Sequence, residues 1–255
     1  METPQLIILV IAALVTSSVS AVIGMGGGII LLGIMAVILP DGYLVIALHG
    51  VIQLVSNTTR AIVFKKYIRK EIVKDFSIGA VVGMLLSVLI IIFAISIFQV
   101  SSADQIKTDF LKPLIGIFIL WYLLIKIPKR DTGIIRFYLV GGISGLSSVF
   151  IGATGPLIAP FFIDKELNKE SLIANKAACQ TITHLTKIPI FMYFFSVDYF
   201  EYVDILIPLA IAVFIGTNFG KIILGFIPEN IFMIIFKTCL AVIAIRLVIG
   251  GFLVS

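Results

Sequence analysis

The chain has 255 residues, 60% of them hydrophobic and 13% charged, with a formal net charge of +5. Together with a mean hydropathy of +1.19, this is far above the roughly 45–50% apolar content of a soluble domain, so most of the chain is built for lipid. The basic residues cluster in short segments between apolar runs, as in the cytoplasmic flanks of membrane proteins, which excludes nucleic acid as a partner.

The first apolar run covers residues 6 to 39 and is interrupted by GMGGG at 24–28. As one straight helix its 34 residues would measure about 51 Å at 1.5 Å per residue, more than one crossing of a core of about 30 Å requires. The expected structure is a hairpin over 5–39: a helix in, a glycine turn, and a shorter helix back, with both ends external. Ser-Val-Ser-Ala at 18–21 has the look of a processing site, but no Lys or Arg precedes it, so the run is read as mature structure. Apolar spans of membrane-crossing length follow at 44–64, 76–98 and 111–127. A second hairpin over 137–163 turns at GATGP, residues 152–156, and is followed by spans 171–195, 203–223 and 230–250.

The chain aligns with itself. SVSAVIGMGGG at 18–28 lies over LSSVFIGATGP at 146–156, and QLVSNTTRAIVF at 53–64 lies over QTITHLTKIPIF at 180–191. The second pair matches Gln53 with Gln180, Thr59 with Thr186, Arg60 with Lys187 and Phe64 with Phe191. This divides the chain into a first repeat, 1–127, a cytoplasmic linker, 128–135, and a second repeat, 136–255. Loop 65–74 holds Lys65, Lys66, Arg69, Lys70 and Lys74, and loop 126–136 holds Lys126, Lys129, Arg130 and Arg136, so both are assigned to the cytoplasm. The loop after 171–195 carries Asp198, Glu201 and Asp204 without a basic residue and is assigned outside. Equivalent loops on opposite sides define an inverted repeat, which requires an odd number of segments per half. The expected fold is therefore an all-α integral membrane protein, an inverted-topology repeat of two five-segment halves, each opening with a glycine-broken helical hairpin, with both termini external.

Broken backbone at membrane depth is tolerated where it is buried in protein or lines a wet cavity. Glycine allows unusual dihedrals and close approach to a ligand, and each returning half-helix points free N–H groups and a positive dipole end at its turn. Gly24, Gly26, Gly27 and Gly28 of the first turn, and Gly152, Thr154 and Gly155 of the second, are accordingly candidate anion-binding residues, with Pro156 suited to a first helical turn. The alternative role for these glycines is close helix packing.

After each turn comes a polar stripe. His49, Gln53, Asn57 and Arg60 follow steps of four, four and three, as do Lys176, Gln180, His184 and Lys187, the spacing of one helix face. Gln53, Asn57, Arg60, Gln180, Thr183, His184 and Lys187 are candidate substrate contacts, and His49 and Lys176 candidate gate or pathway residues. Interhelical hydrogen bonding, or basic side chains snorkelling to the interface, is the alternative. All 14 acidic residues fall in termini or expected loops. A buried carboxylate is the usual element of a cation site or proton relay, so the cargo should be an anion. Cys179 and Cys239 are too few and too separate for a metal site and read as small core residues, and no cofactor is expected. The chain has no HExxH, GxSxG or GxxxxGK[ST] pattern, which argues against an intramembrane enzyme and against an ATP-driven pump.

The GxGGG turn after the first span, its second copy GATGP, the polar helix after each and a length near 250 residues with almost no soluble part resemble the sulfite exporter TauE/SafE family over nearly the whole chain. The resemblance implies export of sulfite, or of a small organosulfonate such as sulfoacetate, across the cytoplasmic membrane without ATP. Inverted hairpins favour alternating access. A passive anion channel, or a transporter of another small inorganic or carboxylate anion, is the alternative. Ala153, Thr154 and Pro156 depart from the family's glycine run, so the two turns are not expected to be equal. The implied partners are the small anion and the lipid bilayer; a homo-oligomer and coupling to protons through His49 or His184 are left open.

Overall fold

A computed structural model describes residues 2–23, 26–106, 111–124, 135–162, 169–224, 237–238 and 241–249. Among these residues there is no strand. The helices are α1 (Thr3–Ile23), α2 (Gly27–Ile38), α3 (Gly42–Val63), α4 (Lys70–Phe98), α5 (Leu111–Leu124), α6 (Ile135–Ile151), α7 (Gly155–Phe162), α8 (Lys169–Phe194) and α9 (Val203–Leu224), and residues 241–249 are also helical. Gly24, Cys239, residues 230–236 and the linker with Lys126, Lys129 and Arg130 lie outside the described residues.

The long apolar run breaks where the glycines stand. Gly26 has φ +97°, a left-handed conformation that L side chains resist, and α2 starts at the next residue. An added Cβ on Gly27 would strike the Thr16 carbonyl and Ser20 Oγ, so α2 lies folded back on α1. The second break is built the same way: Gly152 has φ +85° and α7 begins at Gly155.

Several acidic residues expected in loops stand instead on the first or second turns of helices. Loop 65–74 is shorter than expected because α4 begins at Lys70, so Glu71 and Asp75 are helical, as are Glu170 at the start of α8 and Asp204 at the start of α9. Carboxylates near a helix N-terminus complement its dipole, which extends these helices past the end of the apolar run.

Composition decides which helices are central. α1, α4 and residues 199–220 are long and apolar enough to cross a membrane, and each exposes an apolar strip at helical spacing: Ile7, Ile11 and Val15; Leu85, Leu89 and Phe93; Ile207, Ile211 and Phe214. α3 and α8 carry the polar stripes and pack against each other, with α9 on α3 and α4 on α8. The two central helices run antiparallel. Tyr43 at the start of α3 stacks on Phe195 just after α8, with ring centroids 5.8 Å apart. At the other end, the Arg69 amide donates to Asn175 Oδ1 at 2.8 Å and Asn175 Nδ2 donates to the Tyr67 carbonyl at 3.1 Å.

Two glycine-lined crossings hold the outer helices. An added Cβ at Gly79 or Gly83 of α4 would strike the backbone carbonyls of Tyr138 or Gly142 on α6, and one at Gly216 or Gly220 of α9 would strike α1 at Leu14 or Ser18. Small residues let backbones approach where lipid supplies no hydrophobic drive between helices. The ends of the bundle differ in charge. Lys65, Lys66, Arg69, Lys70 and Lys74 gather at the Asn175 end, while Asp41, Asp104, Asp198 and Glu201 flank Tyr43, Tyr199 and Tyr202 at the other.

Candidate functional site

Both helix breaks border one buried cavity between the paired central helices. It is lined by Ser20 of α1, Gly26, Gly28 and Ile29 of the first break, and Ala153 and Gly155 of the second. His49, Gln53 and Arg60 of α3 and Lys176, Gln180 and His184 of α8 complete it. The six stripe side chains are 1–8% exposed. The lining therefore contains two cations, two imidazoles, two amides and no carboxylate among the described residues.

Placing a Lys or Arg at the centre of a membrane helix costs about 2.5–3.5 kcal/mol even on insertion scales, so each buried cation needs strong partners. Arg60 finds four acceptors without a carboxylate: Nη2 donates to Asn57 Oδ1 at 2.8 Å and Ser56 Oγ at 3.5 Å, Nη1 to the Ser20 carbonyl at 3.3 Å, and Nε to the Ser56 carbonyl at 3.4 Å. Lys187, fully buried, donates through Nζ to the Gly152 carbonyl at 3.3 Å and packs on Gly50 of α3. Each matched cation of the self-alignment is thus tied to a hairpin: Arg60 to the last turns of α1, Lys187 to the second break itself. These neutral oxygens orient the charges and leave their sign uncancelled.

A glutamine lies against the start of each returning helix. A Cβ on Gly28 would lie 3.2 Å from the Gln53 amide, and one on Gly155 would lie 3.0 Å from Gln180 Nε2. Each amide therefore sits on the first turn of a returning half-helix, where backbone N–H groups have no intrahelical acceptor; α2 has no side-chain cap either. His49 Nε2 lies 2.8 Å from the Gly28 carbonyl, and the His49 and His184 rings meet edge-on with centroids 6.2 Å apart.

Not every candidate lines the cavity. Gly27 faces α1. Asn57 spends both amide ends on protein, donating to the Gln53 carbonyl at 2.9 Å and accepting from Arg60, so it positions the guanidinium. Gly152 and Lys187 stand one layer out. Thr154 and Thr183 are joined through Ser144, whose Oγ is 3.1 Å from one hydroxyl and 3.5 Å from the other. Gly24 lies outside the described residues. The matched Thr59 and Thr186 bond carbonyls of their own helices at 2.8 and 2.9 Å. Sequence reasoning missed Ser20, Ile29 and Ala153. Ser20 had a signal, because Thr16, Ser17, Ser18 and Ser20 put four buried hydroxyls into an apolar helix; Ile29 and Ala153 had none.

The space enclosed is about 20 Å³, enough for one water by the usual measure. Among the described residues no group of His, Cys, Asp and Glu is placed to hold a metal ion. What the fold and cavity define is an all-helical protein, among the described residues, with several helices long and apolar enough to cross a membrane around a basic internal cavity. The model of the family Sulfite exporter TauE/SafE matches residues 9–247, and the chain belongs to that family of membrane transporters. Neither the curated proteins nor the solved structures compared with the chain gave a match.

Proposed function

We propose that this protein exports a small oxyanion, sulfite or a small organosulfonate such as sulfoacetate, across the cell membrane by alternating access. The observation that carries the reading is the convergence of both helix breaks, Arg60, Lys176 and two glutamines on one cavity whose described lining has no carboxylate. At an effective dielectric of about 20, an anion about 4 Å from a cation gains about 4 kcal/mol, and the amides add directional donors for its oxygens. An oxyanion of four heavy atoms needs several times the present room, so loading requires the lining helices to part. Nearly inaccessible lining residues support a gated carrier over a passive pore.

The antiparallel run of α3 and α8 supports an inverted relation between the halves, and so does the exchange of outer crossings, α1 on α9 and α4 on α6. Under that relation the basic end is cytoplasmic. With Cys179 and Cys239 replaced, a cysteine at Ser196, beside the acidic end, is expected to react with an impermeant thiol reagent in intact cells, and one at Lys70 only after the membrane is opened. Labelling of position 70 from outside, or none at 196, overturns this orientation.

Loading from inside assigns Arg60 and Lys176 to capture. Arg60→Gln or Lys176→Gln is expected to weaken binding by roughly 5-fold to 150-fold, the equivalent of about 1–3 kcal/mol for a lost charged hydrogen bond. Titration of sulfite into purified variants tests this; unchanged affinity in both removes them from the anion path.

A further inference from the structure

The cavity holds two groups that anion binding alone does not explain. His49 Nε2 faces the Gly28 carbonyl at 2.8 Å, and a carbonyl can only accept, so Nε2 carries the ring hydrogen. In the neutral ring Nδ1 is then a bare lone pair, and it is buried with no partner. His184 Nδ1 is likewise buried and unpartnered, on a ring edge-on to the first. A lone pair enclosed without a donor is unfavourable, and both rings line the cavity.

The surroundings define when such a nitrogen gains a proton. Lys187, Arg60 and the other histidine bear electrostatically on His184, and Lys187 on His49; Lys176 lines the same space. From α1 comes only Ser20, the described lining residues of α2 and α7 bring no titratable group, and the described charges of α5 and α9 stand at helix ends, Lys112 and Asp204. A further positive charge is repelled by this set until a negative charge enters among them.

We propose that His49 takes up a proton on Nδ1 when the anion binds, with His184 as the neighbouring acceptor, so that the site loads an anion and a proton together. The inference rests on the anion-site reading above and adds its coupling. The Nδ1 lone pair forms the new N–H bond with a proton taken from hydronium or buffer acid of the solution, or from the acid form of the anion, the donor leaving as its conjugate base, and the N–H then donates to an anion oxygen. The ring keeps its bond to Gly28 throughout. Only one of the two rings is charged at a time, because their edge contact leaves no counter-ion between them.

Sulfoacetate, whose charge is constant near neutrality, is titrated calorimetrically into the purified protein at one pH in bis-tris and in Tris, cationic buffers of different ionisation enthalpy that add no competing oxyanion. The expected difference in heat corresponds to about one proton taken up per anion. It should fall below about half of that in His49→Gln, which preserves a donor to Gly28 but does not titrate, while sulfoacetate still binds. His184→Gln, expected to lose part of the uptake, is the second variant if the first does not fold. Binding with buffer-independent heat in the wild-type protein overturns the coupling and leaves the anion site standing; full uptake in both variants overturns its assignment to the histidines. Absence of binding by both sulfoacetate and sulfite overturns the site and the coupling together.

Discussion

Gly26→Val is expected to abolish transport while the chain still inserts into the membrane, and Gly152→Val to do the same. Both glycines hold positive φ, +97° and +85°, where a β-branched residue is strained by about 1–3 kcal/mol. The strain is relieved by shifting the start of the half-helix, and at Gly26 that start forms one wall of the cavity. At Gly152 an added Cβ would also press on Leu32 at 3.1 Å and Ile46 at 3.2 Å, side chains of α2 and α3, and would displace the carbonyl that holds Lys187. Insertion depends on the apolar faces of α1, α4 and α9, which neither change touches. Sulfite efflux from proteoliposomes, with protein content checked by immunoblot, measures the outcome. If both variants carry wild-type flux, the glycine turns serve packing alone.

The second large effect is expected at the two glutamines. Gln53 and Gln180 are the side chains that a Cβ on Gly28 or Gly155 would meet first, so each can complete a donor set begun by the backbone of a returning half-helix. Removing either amide should weaken anion binding by about 1–3 kcal/mol, roughly 5-fold to 150-fold. Because the residues belong to opposite halves and line one cavity, their combined effect need not be additive. The loss should appear from both sides of the membrane, whereas Arg60→Gln and Lys176→Gln should impair capture from the cytoplasm.

Much of this was legible because a bilayer leaves the chain few options. An apolar run of 34 residues broken by four glycines can be read as two helices, and the steps of four, four and three put His49, Gln53 and Arg60 on one face from the sequence alone. Equally legible was the want of acid in the spans, although Glu71, Asp75, Glu170 and Asp204 turned out to be helical. Helix dipoles, which hydropathy does not count, extend the ends. What the sequence could not convey is depth within the site. Asn57 shares the stripe with Arg60, yet its amide is consumed by Gln53 and Arg60 themselves, a choice made by rotamers. Thr59 and Thr186 match across the self-alignment because each bonds its own helix backbone, so repeated identity marked helix construction there. Ile29 and Ala153 line the cavity as apolar residues beside the breaks, and an apolar side chain in an apolar run announces nothing.

The central claim, that this cavity binds the transported anion, is tested most directly by thermal unfolding of the purified wild-type protein and the Gln53→Ala/Gln180→Ala double variant with sulfite, sulfoacetate, sulfate, taurine and chloride. A ligand at 100 times its Kd stabilises the folded state by about 2.7 kcal/mol. The account predicts that sulfite or sulfoacetate raises the wild-type Tm more than taurine or chloride does, and that the rise disappears in the double variant at the same concentration. An equal rise in both proteins would place the anion elsewhere and leave the paired stripes as helix contacts.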